Sequence, residues 1–261
     1  MPAVHPERLA EEVKQVQGLI NRPKKLRWRV VDILEFYADR TRRSKAALRR
    51  GHADKKFGVP RPVLYALERG LKQSVLEHPE QGVAISEELW RTDFHETRYL
   101  AITLLEYRAL EELLSTAETW ALEIDDHKLL EKLAQTLASL WKIKNYSDFP
   151  RISKKWLQEG PIAIKNFALI TFRCAVDDPS FLDLPLIFRI IKDDEVVRNN
   201  KLKRVLHDLL RSLIQRSEPE AAHFLLDIIE RDPTIGRKFI RALLECFSPD
   251  QQSRLKNALS T

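Results

Sequence analysis

Apolar residues return at helical spacing almost without interruption along this chain. Tyr99, Leu100, Ile102, Leu104 and Leu105 form one stripe, continued by Leu110 and Leu113. Val196, Val197, Val205, Leu206, Leu209 and Leu213 form a second, and Phe224, Leu225, Ile228 and Ile229 a third. A period near 3.6 puts such residues on one face of a helix, and few stretches alternate as a strand would. Punctuation is correspondingly brief. Pro79, Pro150, Pro161, Pro179, Pro219, Pro233 and Pro249 each open or precede a new apolar period, the place where a first helical turn accepts proline. Ser217-Glu-Pro-Glu and Ser248-Pro-Asp-Gln read as capping-box starts.

These signals predict short helices joined by tight connections, with single long helices over 26–50, 94–115 and 195–216. Helix pairs recur about every 35–45 residues, the range of HEAT and armadillo units. One pair cannot bury its apolar face alone, whereas stacked pairs share a continuous core. The expected fold class is therefore all-α, a HEAT-like or armadillo-type helical-repeat solenoid (an α-α superhelix). It divides into a basic N-terminal helical region over 1–56 and the solenoid over 57–261. Residues 38–58 form the joint, with a loop from Gly51 to Gly58.

Charge is concentrated rather than spread. The formal net charge is +6, yet residues 22–61 hold fourteen Lys or Arg against Asp32, Glu35, Asp39 and Asp54, so the rest of the chain is acidic. A local basic block is a nucleic-acid footprint or a solvated arm. Trp28, between Arg27 and Arg29, is either an aromatic in a basic surface or the anchor of its helix. Arg198, Lys201 and Arg204 fall at i, i+3 and i+6, a basic stripe that tracks phosphates if it lines a groove and is otherwise a solvated face.

Several function classes are disfavoured. No apolar run reaches the roughly 18 residues of a membrane span. The first residues carry early acids and no apolar core, so no signal peptide is expected. Cys174 and Cys246 are too few for a disulfide framework and lack the paired spacing of a zinc site, which suits a reducing cytoplasm. No histidine stands three or four residues from another, and no P-loop, dinucleotide fingerprint or nucleophile elbow occurs. No metal, nucleotide or other cofactor is expected, and a monomer without membrane contact is.

Three stretches carry a resemblance. Phe57-Gly-Val-Pro60 leads into a helix with Leu64 and Leu67. Glu88-Leu-Trp90 is followed, after a short linker, by His95-Glu-Thr-Arg-Tyr-Leu-Ala101. Trp120 stands just before Glu123, Asp125 and Asp126. Together, over about residues 57–215, they resemble the HEAT-like DNA glycosylases of the bacterial DNA alkylation repair family. The resemblance implies duplex DNA as partner, bound in a basic concave groove, and metal-free excision of cationic N3- or N7-alkylated purines. Indole faces attract a cationic base. A carboxylate stabilises the charge that develops as the glycosidic bond breaks.

By that resemblance Trp120 is the aromatic of the site, and Asp125 or Asp126 its carboxylate, one of the two also being a candidate cap for the helix at His127. The sequence departs from the family at three places. The family's aspartate lies one helical turn after its tryptophan, where Ile124 stands here and Asp125 and Asp126 follow at five and six; its groove arginine falls near Lys165-Asn166, and a second tryptophan near Lys203-Arg204. A basic residue in place of an indole repels a cationic base while still holding phosphate. The expected DNA contacts are Lys154, Lys155, Lys165, Asn166, Arg198, Lys201, Lys203 and Arg204, with Arg42, Arg43, Arg49 and Arg50 from the basic block. Three readings stay open: an alkylpurine glycosylase, a nucleic-acid binder with a degenerate catalytic site, and a protein-binding scaffold.

Overall fold

A computed structural model of the chain describes residues 4–39, 55–144 and 149–260. Among these residues there are fifteen α-helices, two 3-10 turns and no strand. The chain divides into two compact units, 1–136 and 137–261. Among the described residues no helix is long and apolar enough to cross a membrane.

The first unit holds α1 (Pro6–Gln17), α2 (Pro23–Phe36), α3 (Arg61–Glu77), α4 (Pro79–Trp90), α5 (His95–Thr103) and α6 (Leu110–Glu123). The next helix, α7 (His127–Lys144), contains the 136/137 boundary. Helix α1 packs on α3 and α2 on α4, so the residues before and after position 56 share one unit. Leu26, Val30, Ile33 and Leu34 supply α2's buried stripe. That helix ends at Phe36, short of the 26–50 span expected, and residues 40–54, including Arg42, Arg43, Arg49 and Arg50, lie outside the described residues.

The helix expected over 94–115 is broken. A 3-10 turn, Leu105–Tyr107, follows α5, and Arg108 is extended at φ −86°, ψ 151°. Tertiary packing causes the break. Tyr107 lies so close to Gly82 of α4 that a Cβ there would come within 2.9 Å of the tyrosine's own. The buried Arg108 guanidinium donates to Glu87 Oε1 at 3.3 and 3.4 Å. These contacts outweigh the local helical pattern.

The second unit comprises α8 (Phe149–Glu159), α9 (Ile162–Asp177), α10 (Leu184–Ile191), α11 (Asp194–Arg198), α12 (Lys203–Arg216), α13 (Glu218–Arg231), α14 (Pro233–Leu243) and α15 (Pro249–Ser260), with a 3-10 turn at Leu244–Cys246. Helix α9 is its centre. Among its residues Ile164, Phe167, Leu169 and Phe172 are fully enclosed, and it packs on both α8 and α12. Arg216, at the end of α12, donates to four backbone carbonyls, those of Val176, Asp178, Pro179 and Phe181. It fixes the connection from α9 to α10.

Two local expectations are corrected here. The helix expected over 195–216 is two helices, because the Asn199 side chain accepts the Lys201 N–H at 3.0 Å and closes a turn that competes with the helix. Ser217 makes no side-chain capping bond at α13, where Pro219 in the first turn lacks one of the N–H groups a cap would take. Carboxylates cap instead: Asp183 at α10, Asp193 at α11 and Asp232 at α14.

Candidate functional site

In the first unit the stretches that carried the resemblance meet one another. Glu96, in the first turn of α5, is buried. Its two oxygens accept the N–H groups of Phe57 and Gly58 at 3.0 and 2.7 Å. Gly58 has φ +69°, a left-handed conformation that glycine adopts without steric penalty. Phe57 stacks on Phe94 with ring centroids 4.1 Å apart, and the His95 N–H donates to the Lys55 carbonyl at 2.8 Å. The turn before α3 and the start of α5 are thereby tied together.

Trp90 and Trp120 stack face to face, 3.9 Å apart and 3° from parallel. Trp90 Nε1 donates to Glu123 Oε2 at 2.7 Å. The Arg98 guanidinium lies 4.7 Å over the Trp90 ring and that of Arg108 lies 5.8 Å over Trp120, both within cation–π range. Arg98 also donates to the Glu123 carbonyl at 3.1 Å and pairs with Asp93 at 2.7 Å. Asp93 itself stands at a left-handed φ of 61°. Trp120 is only 5% exposed, and its indole meets Trp90 and Arg108 in this arrangement.

The two aspartates after Trp120 have different surroundings. Asp126 is the cap of α7, accepting the Leu129 N–H at 3.0 Å. It pairs with Lys56 at 2.5 Å and lies 3.7 Å from His95. Burial alone would raise its pKa. The Lys56 and Leu129 hydrogen bonds and the nearby positive charge outweigh burial and hold it below the ordinary carboxylate value. Asp125 is exposed. Of the pair, Asp126 is committed to the fold, and Asp125 is the carboxylate presented to solvent.

In the second unit a hollow of about 580 Å³ is lined by Gly160, Ile162, Lys165, Arg198, Asn199, Asn200 and Lys201. Three of the cations expected to contact DNA converge here. The break between α11 and α12 places Arg198 at a helix end and Lys201 in the turn, so the expected i, i+3, i+6 helix face does not form. Lys165 is 7% exposed and donates to the Gln158 carbonyl at 3.1 Å and to Glu195 at 2.7 Å. Arg198 pairs with Asp232 at 3.3 Å. Lys203 and Arg204 are exposed in the first turn of α12 and do not line the hollow. On α8, Lys154 is exposed and Lys155 pairs with Glu159 at 3.9 Å, while Asn166 is half-buried on α9.

Sequence reasoning missed the Trp90–Trp120 stack and the two arginines over it. The only available signal was that both indoles belong to the resembling stretches. It also missed the turn closed by Asn199, whose side-chain propensity for turns was the clue.

Comparison with known proteins matches the sequence that contains these stretches. The family model described as DNA alkylation repair enzyme matches residues 31–239, which takes in the tryptophan stack, both aspartates and the hollow. Searches of curated proteins and of solved structures give no match. With most of its length covered by that one model, this chain belongs to the DNA alkylation repair enzyme family.

Proposed function

We propose that this protein binds duplex DNA in alkylation repair, its helix pairs stacked as a HEAT-like solenoid, and that the hollow of the second unit holds a backbone phosphate. The observation that carries this reading is the convergence of Lys165, Arg198 and Lys201 with Asn199 and Asn200 around one hollow. Cations neutralise phosphate and release its counterions, and amides add direct hydrogen bonds. Glu195 and Asp232 already partner two of the cations. Arg198 is 55% exposed and its partner Asp232 26%, and a pair so open to solvent is worth about 0–1 kcal/mol, so a phosphate can exchange with Asp232. Lys165, buried against Glu195 and the Gln158 carbonyl, adds its positive charge to the lining. Lys154, Lys155, Asn166, Lys203 and Arg204 are flanking contacts in this reading. Cys174 and Cys246, neither of them in a disulfide, suit a cytoplasmic setting.

A second reading retains excision of an alkylated base, favoured by the exposure of Asp125, five residues after the buried Trp120. The Asp125 carboxylate would face the positive charge developing on the sugar as the N-glycosidic bond breaks. Trp120 would be the wall of that site. The deciding experiment follows base release from methylated duplex DNA together with duplex binding over a salt series. Salt-dependent binding that weakens in the R198A/K201A double variant, with its log–log slope reduced by about 1–2, supports the phosphate site. Release of N3- or N7-methylpurine that is lost in D125N assigns excision as well. Absence of both binding and release overturns both readings and leaves a protein-binding scaffold.

A further inference from the structure

Trp28 is 61% exposed, whereas Trp90, Trp120 and Trp156 are buried. An indole left largely in water forgoes much of its hydrophobic burial, so its exposure calls for a reason. Its position is also held. The Arg27 guanidinium lies 4.7 Å over the Trp28 ring and pairs with Glu88 Oε2 at 3.1 Å. Glu88 is buried and takes a second arginine, Arg91, at 2.5 Å. A buried carboxylate on α4 thus fixes the cation that backs an exposed indole on α2.

The surroundings are strongly basic. Arg22, Lys24, Lys25, Arg27 and Arg29 fall within eight residues that contain no acid. Arg22, Lys24, Lys25 and Arg91, together with Glu87 and Glu88, line a second hollow of about 410 Å³ between the start of α2 and α4, where the cations outnumber the acids. Two lysines in the first turn of α2 stand against the helix dipole, which favours anions at that end.

We infer that this face of α2 is a single-strand contact: an unpaired base stacks on Trp28 while the phosphates beside it lie on the neighbouring cations. Stacking platforms flanked by positive charge are the chemistry by which proteins hold single strands. A base within a duplex has both faces covered by its neighbours and cannot use the indole; an unpaired one can. Trp28 precedes the residues that the family model matches, so family membership does not assign it. The inference stands on residues of the first unit and does not depend on the phosphate hollow of the second.

The test is anisotropy of labelled oligo-dT with the full chain at low salt. W28A is expected to weaken binding by about 5- to 100-fold, the equivalent of one base stacked on an aromatic, and W28F much less. Duplex affinity should be unchanged in W28A, and an abasic strand of equal length should bind wild type and W28A alike. K24E/K25E should weaken oligo-dT binding and flatten its salt dependence. Equal oligo-dT affinity for folded wild type and W28A overturns the inference. So does a Trp28 emission change with anionic vesicles and none with oligo-dT, which would make the face a lipid contact. The R198A/K201A variant should leave the Trp28-dependent part of oligo-dT binding intact, which separates failure here from failure of the duplex reading.

Discussion

Glu96 and Gly58 are joined by a hydrogen bond of 2.7 Å between the carboxylate and the glycine's N–H, across 38 residues of sequence. The same carboxylate takes the Phe57 N–H. Removing it strands two amides, at about 1–3 kcal/mol each where they are buried. E96A should therefore lower the stability of the first unit by about 3 kcal/mol, and E96Q by less because its carbonyl still accepts. Urea denaturation of the two variants checks this. An E96A protein as stable as wild type would show that the link is dispensable.

Trp120 contributes to stability through its stack on Trp90. W120A should cost about 3–5 kcal/mol, as large aromatic truncations do, and W120F distinctly less. Thermal unfolding gives the ranking. If instead W120A keeps its stability and loses only function at a lesion, Trp120 is a platform and not a packing residue.

Asp126 gives a signed pH dependence. Its folded pKa lies below the ordinary value of 3.8, so the unfolded carboxyl binds a proton more readily than the folded one. The stability it contributes is complete above that ordinary value and is lost as pH falls through the folded value. D126N should flatten the acid limb of the stability profile, and K56M should move the loss to higher pH. Denaturant midpoints across the acid range test both; parallel profiles for wild type and D126N would refute the assignment.

Arg216 holds four carbonyls with one planar fork, a geometry an ammonium does not reproduce. R216K should destabilise the second unit by about 2 kcal/mol and R216A by more. Hydrogen exchange at the amides of 178–184 should accelerate in both. Unchanged exchange would mean that this connection is held by other contacts.

The helical class was readable from spacing alone, because a 3.6-residue apolar period writes itself into every segment. The breaks at 104–109 and 199–202 were not. The first is imposed by Gly82 and Glu87, contacts made far along the chain, and the second by a side-chain turn at Asn199 within an otherwise helical pattern. The second break is also why Arg198 and Lys201 share a hollow with Lys165 rather than a stripe with Arg204. Trp90 and Trp120 could each be singled out, but no spacing rule announces that indoles 30 residues apart will stack. The split between Asp125 and Asp126 was legible only as a cap for one of them; Lys56, the partner that holds Asp126, lies 70 residues away.

The Glu96 clamp also bears on the order in which the first unit assembles. Closing a flexible loop costs entropy that grows with the logarithm of its length. The Lys56–Asp126 pair spans 70 residues, whereas the Phe57–Glu96 bond spans 39. Once Glu96 has docked, Asp126 has only the stretch from α5 onward left to close, which lowers its remaining entropic cost by about 0.7 kcal/mol. The shorter link therefore makes the longer one cheaper to close, and the carboxylate that pins one turn also shortens the loop across which Asp126 meets its lysine.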